Sequence, residues 1–117
     1  MSIRKSIIEM VELLSLPSKQ IAYEKHVPIA DVPAELICGF CDDLYHPKSE
    51  TFIAEFSEDE LKRMAHLYGL LSVAAKIPVQ SVTDLQRCPE WRSVVSLAKG
   101  MSAHYKQNPA QSGRDKD

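Results

Sequence analysis

A chain of 117 residues, 44% hydrophobic and 26% charged, is sized and composed for one globular domain with one core. Three cysteines are too few for a disulfide scaffold, and no apolar run approaches the roughly 20 residues of a membrane span. Arg4, Lys5, Glu9 and Glu12 interrupt the first apolar pattern, so no secretion signal is read there, and the odd cysteine count points to a reducing cytoplasm.

The first predicted element is a helix in which Ile3, Ile7, Met10, Val11 and Leu14 recur at helical spacing, closed by Pro17. Ser18 to Val27 reads either as a shorter helix or as a short β element near residues 20–30. Asp31 before Val32-Pro33 is a helix start, since aspartate accepts from a free backbone N–H and proline suits the first turn. The run that follows places Leu36, Ile37, Phe40, Cys41 and Leu44 on one stripe up to Tyr45. Gly39 lies inside it at a cost of about 1 kcal/mol relative to alanine, which a close helix crossing would explain.

Glu50 to Phe56 has short helical spacing. Ser57-Glu58-Asp59-Glu60 is a capping box, and the helix behind it carries Leu61, Met64, Ala65, Tyr68, Leu70, Leu71, Ala74 and Ala75. Ser81 to Cys88 reads as a short helix with Val82 and Leu85 inward. Pro89 opens a long one with Trp91, Val94, Val95, Ala98, Met101 and Tyr105 at spacings of three and four. The expected fold is all-α: a single irregular bundle of five or six helices over residues 1–108, with 109–117 a disordered polar tail.

The net charge of −2 hides an uneven distribution. Residues 1–30 sum to +1, residues 31–60 to −8, and residues 61–117 to +5. A −8 segment held on one face creates a local negative field that speeds encounter with basic partners.

Catalytic and metal motifs are weak. Cys38-Gly39-Phe40-Cys41 has CxxC spacing, but it falls mid-helix beside Asp42 and Asp43, which raise a thiol pKa and oppose redox use. Buried structural cysteines are the better reading, and His46 with Cys88 make a poor completion of a zinc set. His26, His46, His66 and His104 share no ligand or catalytic spacing, and the phosphate-loop, dinucleotide and nucleophile-elbow motifs are absent. Arg87, Arg92, Lys99 and Lys106 could line one side of the last helices, but the −8 segment repels phosphate, which argues against nucleic acid as a ligand. No enzyme activity and no cofactor is expected.

A protein of this kind is suited to neutralising a basic protein partner. Clustered carboxylates speed association and set register, while aromatics supply affinity. Asp42, Asp43, Glu50, Glu55, Glu58 and Asp59, with Tyr45, Phe52 and Phe56 among them, have that character. The candidate partner-binding residues are therefore Asp42, Asp43, Tyr45, Glu50, Glu55, Glu58 and Asp59.

In size, helical content and the stretches Asp42-Asp43-Leu44-Tyr45 and Phe56-Ser57-Glu58-Asp59-Glu60, the chain resembles small helical bacterial immunity proteins of contact-dependent growth inhibition systems. The resemblance implies a one-to-one cytoplasmic complex with a toxin domain, often a nuclease, and no membrane. A net charge of only −2 departs from a strongly acidic immunity protein. The alternative is a helical scaffold or regulatory domain that homodimerises through Trp91, Met101 and Tyr105.

Overall fold

The computed structural model describes residues 3–27 and 31–107. Over these the chain is all-α, as its periodicity predicts, but more finely divided than five or six helices. The elements are α1 (Ile3–Ser15), α2 (Pro17–His26), α3 (Val32–Cys38), a π-helix (Gly39–Leu44), α4 (Glu50–Ala54), α5 (Glu58–Ala74), α6 (Val82–Gln86) and α7 (Pro89–Gln107). The expected polar tail lies outside the described residues. Among them no helix is long and apolar enough to cross a membrane.

Local chemistry sets the boundaries. The Asp31 side chain accepts from Ala34 N, that of Ser49 from Phe52 N, and that of Ser81 from Asp84 N. Ser57 and Glu60 form the full reciprocal capping box that opens α5. The β element expected near residues 20–30 does not form over Gln20–His26, which is helical. Pro17 fits the first turn of α2, and Gln20 turns inward there, with its amide donating to Leu13 O and Leu14 O at 3.0 Å each. Those bonds serve two carbonyls at the end of α1 that have no partner within the helix.

α7 is the spine, with α1 packed on it most extensively and α5 next. The core is Ile7, Val11 and Leu14 from α1, Met64, Leu67 and Leu71 from α5, and Val94, Ala98 and Met101 from α7. Phe40, Phe52 and Phe56 belong to the same core. Trp91, Met101 and Tyr105 are at most 2% exposed, so the homodimer face expected on them is part of the core. At Gly39 a Cβ would lie 3.1 Å from Met10 Cε of α1, a tight contact with the tip of a flexible side chain.

Two buried polar knots tie the helices together. In the first, Arg4 donates from Nη1 to Glu60 Oε1 and from Nη2 to Glu60 Oε2, both at 2.8 Å. Glu60 also accepts from Ser57 N at 2.9 Å and pairs with His104 Nε2 at 2.8 Å. The Arg4 guanidinium lies over the rings of Phe56 and Tyr105, 5.5 and 5.4 Å from their centroids. In the second knot Gln20 Oε1 accepts from Trp91 Nε1 and from Gln86 Nε2, each at 3.2 Å, joining α2 to α6 and α7.

Burial alone would raise the Glu60 carboxyl, but the donors from Arg4, Ser57 and His104 outweigh it and bring it down to about 2 from an ordinary 4.5. A carboxyl depressed by folding contributes stability that is complete above pH 4.5 and is lost as pH falls toward 2. Glu60→Gln should cost about 3 kcal/mol near neutrality in urea titrations, because it leaves Arg4 buried without its counter-charge. The gap between wild type and variant should shrink through that acid window.

Candidate functional site

Asp31, Glu35, Cys38 and Asp42 follow one another at four, three and four residues, which is one stripe of a helix. α3 and the π-helix keep the stripe together. The Cys38 thiol is pushed up, first by the Asp42 side chain as an acceptor, then by slight burial, then by the charges of Asp42, Asp43 and Asp31. Three carboxylates therefore act on one point of the surface.

Beside them runs a groove of about 440 Å³, walled by Tyr23, Glu35, Cys38 and Asp43 and floored by Met10, Leu13, Leu36 and Gly39. The Tyr23 hydroxyl donates to Glu35 Oε1 at 2.8 Å, which fixes that carboxylate at the groove wall.

The π-helix decides how this acidic face meets an aromatic one. Tyr45 N donates to Phe40 O at 2.9 Å, a bond one residue longer than an α-helical one. That turn lays the Tyr45 ring on Phe40, with centroids 5.2 Å apart and planes 13° from parallel. Tyr45 also meets Phe52 edge-on at 5.7 Å and Tyr68 at 5.4 Å. Burial raises the Tyr45 hydroxyl, with a smaller contribution from Tyr68. Tyr68 is 43% exposed, and Ile53 of α4 is 41% exposed. Phe52 and Phe56, placed among the acids by sequence, are 0% and 3% exposed and support this surface from inside.

The expected site residues thus fall into groups. Asp42, Asp43 and Tyr45 lie together on the π-helix and its C-cap. Glu50 is exposed in the first turn of α4, and Glu55 is half-buried at its C-cap, where its carbonyl accepts from Arg4 Nη1 at 3.1 Å. Glu58 and Asp59 open α5, with Asp59 3.2 Å from Arg63 in an exposed pair of little energetic weight. Tyr68 lies about 15 Å further along that helix from Glu58, at 1.5 Å per residue. Glu60, counted with the −8 segment, points into the core and adds nothing to the outer field.

Sequence reasoning passed over Asp31, Glu35, Tyr23 and Tyr68. The 31–35–38–42 spacing was there to find, whereas nothing in the chain says that Tyr68 comes out beside Tyr45.

The cysteines are free and, contrary to expectation, none is buried: Cys38 is exposed, Cys41 and Cys88 half-buried. Among the described residues no three His, Cys, Asp or Glu side chains are grouped to hold a metal ion. Burial, then Asp42 and Cys38, push the Cys41 thiol up to about 11. Iodoacetamide should therefore label Cys41 about tenfold more slowly than a free thiol at pH 8, since its scarcer thiolate is partly offset by higher nucleophilicity. Asp42→Asn should speed labelling of Cys38, read by mass spectrometry of variants keeping one cysteine.

No protein-family model matches the chain, and neither a curated protein nor a solved structure matches it.

Proposed function

We propose that this chain belongs to the class of non-catalytic protein inhibitors, which act by covering a partner's working surface. Within that class we infer an immunity protein, one that neutralises a bacterial toxin domain in a one-to-one complex in the cytoplasm. The observation that carries the reading is that Asp31, Asp42 and Asp43 share one short segment with Tyr45, whose ring meets the exposed Tyr68 of α5.

A nuclease attracts phosphate and so presents a basic surface around its active site. Carboxylates facing that surface raise the encounter rate by 10- to 1000-fold at low salt, by order of magnitude. The exposed Tyr68, in ring contact with the half-buried Tyr45, adds apolar area with a polar tip, the chemistry enriched at interface centres. Glu50, Glu55, Glu58 and Asp59 add carboxylates along α4 and at the start of α5. Such an inhibitor needs no cofactor, and the same field disfavours nucleic acid as a direct ligand.

The partner captured from source cells by the intact chain should be a basic toxin domain whose activity is lost on binding. Asp42→Lys combined with Asp43→Lys should slow association at least tenfold at low salt in stopped-flow, with the difference shrinking as salt rises. Tyr68→Ala should act mainly by speeding dissociation. A captured partner that is acidic, or association indifferent to both charge reversal and salt, overturns the reading.

A further inference from the structure

A second surface has the opposite sign. On the outer side of α7, Arg92, Val95, Ser96 and Lys99 succeed one another at three, one and three residues, a single ridge two turns long. With Pro17, Gln86 and the edge of Trp91 they line a groove of about 290 Å³ that contains no carboxylate. Among the described residues neither Arg92 nor Lys99 is within ion-pair distance of an acid. The floor is held rigid from below: Gln86 Nε2 donates to Pro17 O at 2.9 Å, and Trp91 is anchored through Gln20.

Arg92 and Lys99 are two of the four cations, with Arg87 and Lys106, that the sequence offers as a nucleic-acid face. The geometry argues otherwise. A base-stacking platform needs an exposed ring face, and Trp91 is 1% exposed. What remains is an apolar slot between two cations about 10 Å apart along the helix axis.

We propose that this groove docks an acidic amphipathic helix of a protein partner, laid along α7. One aliphatic side chain of that helix sits over Val95 and the Trp91 edge, and carboxylates two turns apart meet Arg92 and Lys99. The register is set by α7 itself, because acids two turns apart on a helix repeat the spacing of the two cations, and residues midway between them face the slot. Charge complementarity fixes the partner's sign, and the groove's size limits the anchor to one or two side chains. The site shares no residue with the acidic–aromatic surface and does not depend on its function.

The test uses the full chain, isotope-labelled, and a blocked synthetic helix of about 20 residues, long enough to hold helical structure. The peptide carries two glutamates two turns apart with leucines midway, in an alanine–glutamine background. The single tryptophan makes the Trp91 indole N–H an unambiguous reporter. The expected result is saturable shifts confined to Trp91, Val95, Ser96, Gln86 and their neighbours. Arg92→Glu with Lys99→Glu, both at exposed positions, should weaken binding about tenfold or more while the remaining amide spectrum stays that of the folded chain. No saturable shift up to about 1 mM peptide overturns the proposal. So do equal binding of the peptide with lysines for glutamates, and movement of the same signals by a single-stranded oligonucleotide with the same sensitivity to charge reversal.

Discussion

The bidentate Arg4–Glu60 pair joins the first turn of α1 to the first turn of α5, and His104 brings in the last turn of α7. The three longest helices of the domain are thereby fixed to one another at one point, with Phe56 and Tyr105 as the walls of the guanidinium's site. A buried charge of this kind tolerates no partial arrangement. Every helix meeting there must arrive in register, or a charge is left in the core at a cost of several kcal/mol. The capping box is part of the same knot, because the glutamate that caps α5 is the one that receives Arg4. Helix start and tertiary contact are thus one interaction.

At the other end of α1 the Gln20 amide does comparable work without charge. It satisfies two α1 carbonyls and receives the Trp91 indole and the Gln86 amide. The knots lie at opposite ends of α1, so α1 and α7 are held along their length, with Ile7, Val11, Val94 and Ala98 packed between. This leaves one side of α7 for the core and its outer ridge, from Arg92 to Lys99, for solvent or a partner.

The acidic third of the chain is distributed unequally by this architecture. Glu60 is consumed by the core, Asp59 is paired with Arg63, and Glu35 is held by Tyr23. Asp31, Asp42 and Asp43 keep their field, concentrated around Cys38. The π-helix matters because its wider turn carries Tyr45 onto Phe40 and so sets an aromatic cluster next to those acids. An uninterrupted α-helix from Val32 would send Tyr45 elsewhere.

Much of this was legible in the chain. Helical periodicity, the prolines and the Ser, Asp and Glu caps are local signals, and each acts within a few residues of where it is written, so helix starts at Val32, Glu58, Val82 and Pro89 follow from sequence alone. The same locality gives the acidic stripe 31–35–38–42 and the basic ridge 92–95–96–99. Tertiary structure alone decided the fate of individual polar groups. Glu60 and Asp59 are adjacent carboxylates in one helical turn, yet one is 1% exposed and the other faces water. Glu60 shares the buried face of α5 with Met64, Leu67 and Leu71, and it is Arg4, 56 residues away, that lets a carboxylate stay charged there. It likewise decided that Gln20 belongs to a helix, that Trp91 is core, and that Tyr68 surfaces beside Tyr45. Each depends on which distant side chain is within hydrogen-bond or ring-contact distance, and one-dimensional spacing does not record that.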